Sequence, residues 1–379
     1  MRKLIIVALI LVLVVGVYWR MRAKPRPLSM AYVGEPTITL WATTAQVRQS
    51  IGEVHWGYPV EVLKRIGGQT QVRTVDGLVG WMDGHGLLDR SSWDLEARLI
   101  AQAHTMPVQG TGRTKVFTNV RLEAGREAPR IYQLPGGVPV VVLGRAVADA
   151  PQATSATPGS KDESPKREDW LLISTPGANP GTRVGAPTGG ASSDSQQANQ
   201  DYLVTGNSAA QKPAGNSPGQ AIPALAGWVI GRFIDLDLPD TVRDYATSAG
   251  MRPVAWFVLN RVATPSGDKP EYLVAGAHGG EGQACDFSLL RAYTWGIKRQ
   301  RYETAFVESD LCGYLPVRLD KQIASGDPEF RFNNMQENGV REDRVYTMHQ
   351  TVVRRVHEAQ PAKSSVPAKR ITNPKSGGR

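Results

Sequence analysis

The chain has 379 residues, enough for two or three domains, and 41% of them are hydrophobic, which is enough to form packed cores. Frequent glycine (39) and proline (26), with only 21% charged residues, favour strands and turns over long amphipathic helices. The net charge of +9 comes from residues 1–30 and 361–379, which hold eleven basic and no acidic residues. The middle of the chain therefore lacks the basic face of a nucleic-acid-binding protein, and no nucleic-acid partner is predicted.

An uncharged apolar run, residues 4–19, follows Arg2 and Lys3 at the start of the chain. As a helix it would be about 24 Å long, so its bulky and basic flanks would complete a span of the ~30 Å hydrocarbon core. The run ends in Tyr18-Trp19-Arg20 rather than in the small residues of a cleavage site, which favours an uncleaved transmembrane signal-anchor over a cleaved signal peptide.

The orientation of this predicted anchor is open on charge alone. Four basic residues follow the apolar run and two precede it, so the positive-inside rule favours a cytoplasmic C-terminal part. The remainder of the sequence has an extracytoplasmic character, and on that ground we predict the opposite topology, with the domains facing the periplasm or the cell exterior.

A nine-residue phrase of the form G-x-P-V-x-V-L-x-R occurs twice, at residues 57–65 and 137–145. Its glycine and proline are typical of a turn, and its β-branched residues are typical of the strand that follows. A second phrase, which contains Gly-Trp, also occurs twice, at residues 80–84 and 227–231. The two phrases predict two copies of one small five-stranded domain, at residues 31–90 and 113–238. The alternative is that they are unrelated strands of common composition.

The spacing between equivalent positions grows from 80 residues at the first phrase to 147 at the second, so the second copy carries an insertion of 67 residues. Residues 146–167 and 175–223 are rich in Gly, Ala, Pro, Ser, Gln and Asn. Such segments bury too little apolar surface to offset the entropy of ordering, and we predict that both are disordered inserts. Asp169 to Ile173, between them, is a plausible strand.

Several motifs of the two copies are similar to those of the bacterial SH3 (SH3b) family. Residues 72–82 of the first copy, VRTVDGLVGWM, match the family phrase V-x-x-x-D-G-x-x-G-W-V, and both copies match G-x-x-V-x-V-L. Two departures stand out: Trp41 occupies the place of a common arginine, and the second copy has its insertion in place of the tight Asp-Gly turn. The resemblance implies SH3-like barrels that bind peptidoglycan peptides or other envelope proteins.

Three further segments complete the predicted organisation. Residues 91–106 form a linker helix, for which Ser92 is the predicted cap. Residues 240–357 form a C-terminal β-rich domain in which residues 254–275 and 289–307 are each a hairpin. Residues 358–379 are a basic disordered tail. The predicted fold class is therefore all-β, with two small SH3-like barrels and a C-terminal β-rich domain after an N-terminal transmembrane helix.

Aromatic residues of the two copies are the candidates for ligand binding. Trp81 and Trp228 follow glycine on the last strand of each copy, where they either fill the core or line a groove that binds an extended peptide. The other candidates for this groove are Trp41, Trp56, Tyr58 and Tyr132, of which Tyr132 is the aromatic of the second copy.

The two cysteines, Cys285 and Cys312, are placed opposite each other by an uninterrupted hairpin in which Trp295 faces Tyr302. They are predicted to form a disulfide, which is typical of extracytoplasmic proteins. Two separate buried thiols are the alternative, because one bulge would change the register.

The six histidines show no metal-ligand spacing, and no nucleophile or phosphate-loop motif is present, so the sequence predicts no metal site, no cofactor and no enzyme activity. The expected function is that of a single-pass bacterial inner-membrane protein that binds peptidoglycan or an envelope protein. Two alternatives remain: a structural scaffold without a ligand, and an enzyme whose catalytic site lies in the C-terminal domain.

Overall fold

The computed structural model describes residues 26–151, 166–176, 222–321 and 326–356. The predicted transmembrane helix at residues 4–19 and the predicted tail at residues 358–379 lie outside these ranges, as do most of the two inserts. No helix in the described ranges is long and apolar enough to cross a bilayer. Twenty-two strands and two α-helices form the described part of the chain, which confirms the all-β class.

The first seven strands form one antiparallel sheet. They are β1 (Ser29–Val33), β2 (Thr37–Trp41), β3 (Ser50–His55), β4 (Pro59–Ile66), β5 (Gln69–Thr74), β6 (Val79–Asp83) and β7 (Leu87–Asp89). Their order in the sheet is β3-β2-β6-β5-β4-β1-β7. The inner face buries Val33, Leu40, Val62 and Val72 in one core. We call this unit the first repeat.

The next seven strands form a second sheet with the same plan. They are β8 (Gly110–Thr114), β9 (Thr118–Arg121), β10 (Arg130–Leu134), β11 (Pro139–Asp149), β12 (Arg167–Ser174), β13 (Ala226–Ile230) and β14 (Ile234–Leu236). Their order, β10-β9-β13-β12-β11-β8-β14, is that of the first repeat with every label raised by seven. A 3-10 turn precedes the last strand of each sheet, at Gly84–Gly86 and Gly231–Phe233. Both repeats have seven strands rather than the five predicted for each, because their short strands show no clear apolar alternation.

The repeated nine-residue phrase performs the same task in both repeats. Gly57 and Gly137 have φ angles of 79° and 82°, a left-handed conformation that favours glycine. In β4, Val62 faces Val72 but Lys64 faces Gln71, so Leu63 is an extra residue in a β-bulge. The pairing of β11 with β12 shifts at the equivalent residue, Leu143. The bulge explains why a valine and the leucine after it are both buried.

The inserts are shorter than predicted, because β11 continues through Asp149 and pairs with β12 from Arg167 onward. Ladder pairing thus overrides the Ala-rich composition at residues 146–149. At the second insert, the hydroxyl of Thr175 donates to the carbonyl of Pro223 at 2.8 Å and accepts from the amide of Leu225 at 3.0 Å. The chain therefore leaves and re-enters the second repeat at one hydrogen-bonded point.

Helix α1 (Arg90–Ala103) joins the repeats. Its cap is Asp89, whose carboxylate accepts from the amide of Ser92 at 2.7 Å, so the prediction of Ser92 as the cap was wrong. Asp89 serves because Ser92 already lies within the first helical turn. The helix packs with its apolar residues on the outer face of the second repeat.

Two four-stranded meanders form the C-terminal region. The first contains β15 (Arg252–Val262), β16 (Lys269–Ala277), β17 (Leu289–Gly296) and β18 (Arg301–Glu308), and the second contains β19 (Gly313–Lys321), β20 (Pro328–Met335), β21 (Arg341–His349) and β22 (Val352–Val356). Both predicted hairpins are present, as β15–β16 and β17–β18. The two sheets share one core, and helix α2 (Asp240–Ser248) packs on the first of them.

Buried polar contacts attach the second repeat to the C-terminal region. Gln109 is fully buried, and its side chain exchanges two hydrogen bonds with the backbone of Val317, at 2.8 and 3.2 Å. Arg145, whose side chain is 1% exposed, contacts Asp169 at 2.5 Å and Asp286 at 2.8 Å. These buried charges are paired across the junction, so removal of one partner would leave the others uncompensated.

Candidate functional site

The glycine and the tryptophan of each Gly-Trp pair face opposite sides of their sheet. A Cβ atom on Gly80 would lie 3.0 Å from the Cβ of Leu40, and one on Gly227 would lie 2.6 Å from Cγ1 of Val120. Glycine is therefore required where the neighbouring strand approaches closely on the inner face. The tryptophans that follow, Trp81 and Trp228, point to the outer face because side chains alternate along a strand.

On the outer face of the first repeat, four paired residues form a row across four strands. Lys64 faces Gln71, Gln71 faces Trp81, and Trp81 faces Trp41. Residues that face each other in this way project from the same side of a sheet. The guanidinium carbon of Arg48 lies 4.5 Å from the centre of the Trp41 ring. We call these five residues the tryptophan face.

The tryptophan face is open and polar around its aromatic pair. Trp41 and Trp81 are half-buried, whereas Lys64 and Arg48 are exposed. Sequence reasoning identified both tryptophans but missed Lys64, Gln71 and Arg48. The sequence does not reveal that Lys64 and Gln71 face each other, because their pairing depends on the bulge at Leu63, which shifts the side-chain alternation of β4 by one residue.

The equivalent row of the second repeat is Gly144, Leu172, Trp228 and Arg121. Here Trp228 packs on a cluster formed by Ala103 of helix α1 with Leu143, Leu172 and Ala226. Helix α1 thus occupies the side of the sheet that is open in the first repeat. Trp228 is part of this packed layer, and the structure does not bring it into a groove with the other candidate residues.

Trp56 and Tyr132 come together, but at the junction between the repeats. The Trp56 ring lies 5.1 Å from that of Trp93 in helix α1 and 6.2 Å from that of Tyr132, and Trp93 stacks on Tyr32 at 4.8 Å. Tyr132 is 1% exposed within the core of the second repeat. Its prediction as a ligand-binding residue was wrong, because helix α1 and the first repeat enclose the aromatic cluster.

Tyr58 lies away from this cluster and packs against the core of the first repeat. Its hydroxyl donates to the carboxylate of Asp76 at 2.5 Å, in the turn between β5 and β6. This hydrogen bond to Asp76 raises the pKa of Tyr58. The contact gives Tyr58 a role in holding that turn.

Cys285 and Cys312 form a disulfide with a Cα–Cα distance of 5.0 Å. The hairpin register is not the reason for their proximity, because a bulge between Ala292 and Tyr293 interrupts the pairing of β17 with β18. Both cysteines lie in loops outside those strands. The loops are brought together by the bridge between Phe287 and Gly313 instead.

The glycine-rich segment 276–282 leads from β16 toward this disulfide and contacts the second repeat. The amide of Gly282 donates to Asp169 at 2.8 Å, and Glu281 pairs with Arg232 at 3.1 Å. Arg232 also pairs with Glu168. Hydrogen bonds from Arg126 and then Arg232 lower the pKa of Glu168 to about 2, against the opposing effect of burial. The segment therefore attaches the C-terminal region to the second repeat.

The C-terminal region contains a cavity of about 770 Å³ at the β17–β18 hairpin. Its lining includes Thr294, Trp295, Lys298, Arg299 and Glu303. Arg299 and Glu303 pair with each other at 2.9 Å, which leaves Lys298 as the one charged lining residue without an ion pair in the described chain. The described residues contain no cluster of three side chains able to hold a metal ion.

Comparisons with known proteins add little to this geometry. No protein-family model matches the chain, and no curated protein matches its sequence. Among solved structures, a match is found with a structure titled "Structure of NlpC2 from Trichomonas vaginalis". It has 9% sequence identity, covers 88% of this chain and 97% of that chain, and gives a TM-score of 0.16. At these values the match establishes neither a shared fold nor a shared function.

Proposed function

We propose that this protein is a membrane-anchored cell-envelope protein whose first repeat binds peptidoglycan peptides on the tryptophan face. The observation that carries the proposal is the cross-strand pair Trp41–Trp81 on an open, polar sheet face. Two aromatic side chains at facing positions offer flat apolar contact area to an extended peptide at low entropic cost.

The polar members of the tryptophan face fit the same ligand. Gln71 supplies one amide donor group and one acceptor next to Trp81, which suits a peptide backbone. Lys64 and Arg48 supply positive charge at the two ends of the row, which suits peptide carboxylates. Each repeat is, on this proposal, an SH3-like barrel, supported by the shared motifs and by the identical strand order of the two sheets.

Two features support an extracytoplasmic location. The apolar segment at residues 4–19 has the composition of a membrane anchor. The disulfide between Cys285 and Cys312 is of a kind that persists in oxidising compartments and is rare in the cytosol. The proposed location is therefore the inner membrane, with the repeats and the C-terminal region in the periplasm or at the cell exterior.

A scaffold role is the second candidate, and it is favoured by the second repeat alone. There the equivalent outer face is occupied by helix α1, and the sheet is attached to the C-terminal region through Gln109 and Arg145. We propose that the second repeat holds the molecule together while the first repeat binds the ligand.

Sedimentation with purified peptidoglycan sacculi tests the proposed ligand. The full-length chain is compared with the double variant Trp41→Ala/Trp81→Ala, for which we expect at least a tenfold weaker association, since central aromatic residues carry much of the energy of an interface. The matched control is Phe117→Ala, which removes an aromatic residue that is 51% exposed on the second repeat. Equal binding by the double variant and the unaltered chain would exclude the tryptophan face as the site.

A further inference from the structure

A cavity separate from the tryptophan face lies between the two repeats, on the other side of β4. It is a cavity of about 640 Å³ near the N-terminal end of helix α1. The first repeat contributes Arg65 and the 3-10 turn at residues 84–86, and the second repeat contributes Asn119, Arg121 and Arg130. We call this site the inter-repeat cleft.

Positive charge exceeds negative charge in the inter-repeat cleft. Three arginines line it, against one carboxylate, that of Asp89. Asp89 is already engaged as the helix cap, since it accepts from the amide of Ser92 at 2.7 Å and from the hydroxyl of Ser91 at 2.8 Å. Asp89 is therefore committed to helix α1 rather than to the arginines.

The three arginines differ in how far they are neutralised. Arg130 pairs with Glu35 across the repeats. Arg121 donates to the backbone carbonyl of Ala128 at 2.5 Å and forms no ion pair with a described residue, although Glu127 lies near enough to favour its charge. Arg65 is exposed and forms no ion pair with any described residue. Two guanidinium groups are thus available to a ligand.

The electrostatics of Arg121 agree with this count. Burial, and then the nearby charge of Arg130, lower the pKa of Arg121 and outweigh the opposing charge of Glu127. A lowered pKa in an arginine means that its positive charge is poorly compensated where it lies. A bound anion would supply the missing compensation.

Asn119 adds a polar group that lacks a partner. Its side-chain oxygen is buried and makes no hydrogen bond to any described residue. A buried amide oxygen without a partner costs free energy, and the amide can rotate to present its NH₂ group to an acceptor. An acceptor in the cleft would satisfy this side chain.

We propose that the inter-repeat cleft binds an anionic oxygen group, a carboxylate or a phosphate, between Arg65, Arg121 and Asn119. Planar guanidinium groups match the oxygens of both anions through paired hydrogen bonds. The site is independent of the tryptophan face, because Lys64 and Arg65 project from opposite faces of β4. The ligand would contact both repeats and fix their relative position.

Isothermal titration calorimetry of the full-length chain, at constant ionic strength, tests the proposal. One arm uses inorganic phosphate, and the other uses an N-acetylated dipeptide with a free C-terminal carboxylate. We expect saturable binding of at least one probe, weakened about tenfold or more by Arg65→Gln, since the variant removes a charge-assisted hydrogen bond, which is among the stronger ones in proteins. The probe that binds more tightly identifies the source of the anion.

Arg318→Gln is the matched control, because it removes the same charge from an exposed arginine of β19, which lines neither the inter-repeat cleft nor the tryptophan face. It should leave probe binding unchanged, whereas Arg121→Gln should weaken it as Arg65→Gln does. Binding of neither probe, or equal loss in Arg318→Gln and Arg65→Gln, would overturn the proposal. Failure of sacculus binding would not affect it, so the two proposals stand or fall separately.

Discussion

The outer faces of the two repeats have equivalent strand pairing but differ in which side chains they present and in whether they are covered. In the first repeat the row across the sheet is Lys64, Gln71, Trp81 and Trp41, and the face is open. In the second repeat the equivalent row is Gly144, Leu172, Trp228 and Arg121, and helix α1 packs over Leu172 and Trp228. Side-chain polarity, rather than backbone topology, decides which face is available to a ligand.

The same comparison explains the second candidate site. Arg121 stands where the first repeat has Trp41, and it lines the inter-repeat cleft instead of an aromatic platform. The arginine in one repeat and the tryptophan in the other thus give the two repeats different surfaces at an equivalent position. The two repeats share a strand order and each has an apolar inner core, but their outer faces differ.

The largest expected effect comes from exchanging residues between the equivalent positions 71 and 172. Leu172 is 6% exposed beneath helix α1, so Leu172→Gln buries an amide and removes apolar contact. We expect it to lower the free energy of unfolding by about 3 kcal/mol or more. Gln71→Leu, on the open face, should change it by less than about 0.5 kcal/mol. Denaturant unfolding of both variants measures the difference, and similar losses would show that the two faces are equally buried.

Reduction of the disulfide should affect the repeats unequally. Cys285 and Cys312 are separated by 27 residues, so the bond is expected to stabilise the chain by about 3 kcal/mol. Its loop also contacts Arg145 and Asp169 of the second repeat. In Cys285→Ser/Cys312→Ser, amide exchange should quicken in β12 and stay unchanged in β5. Faster exchange in β5 as well would mean that the repeats are not independent in this respect.

A rise in pH from 4.5 to about 8 should loosen helix α1, which covers the outer face of the second repeat and joins that repeat to the first. Glu96 of this helix is 1% exposed, and burial raises its pKa from 4.5 to about 8. The folded state therefore holds a proton that the unfolded state has lost, and the free energy of unfolding should fall as the pH rises from 4.5 to about 8.

The variant Glu96→Gln removes this ionisation and should flatten that pH dependence. Because one pKa unit corresponds to about 1.4 kcal/mol, the unaltered chain should lose more than about 1 kcal/mol across the interval. Urea unfolding at pH 5 and pH 8 measures the slope for both chains. Identical slopes would show that Glu96 is already ionised in the folded protein.

The smallest effect on stability is expected when Trp41 of the first repeat is replaced by the arginine that the second repeat has at the equivalent position. Trp41→Arg places at this half-buried position the residue that the second repeat has at Arg121. The free energy of unfolding should change by less than about 1 kcal/mol, because the face is open. Sacculus binding should nevertheless be lost with the aromatic pair. A variant that binds normally would show that Trp81 alone is sufficient.

The repeat itself could be predicted from sequence because its signals are local. Gly57 and Gly137 mark turns that require a left-handed backbone, and the valines after them mark buried strands. The short strands β1 and β7 carry no such signal, since their pairing partners, each other and β4, lie far along the chain. Their pairing is a property of the assembled sheet.

The candidate site could be predicted only in part. Trp81 was identified because it follows glycine on the last strand, and Trp41 as a further aromatic of that copy, but the same reasoning also selected Tyr132, which is 1% exposed. What separates them is the position of helix α1, for which the strand sequences hold only one hint. The apolar residue Leu172, opposite Trp228, was the available hint that the second face is covered.

Oxidative footprinting of tryptophan in the full-length chain, with and without soluble peptidoglycan fragments, tests the central claim most directly. Mass spectrometry then reports the modification of Trp41, Trp81 and Trp228 in one experiment. If only the first repeat binds the ligand, the fragments should protect Trp41 and Trp81 and leave the rate at Trp228 unchanged. Protection of Trp228 without protection of Trp41 and Trp81 would contradict the assignment of the binding face to the first repeat.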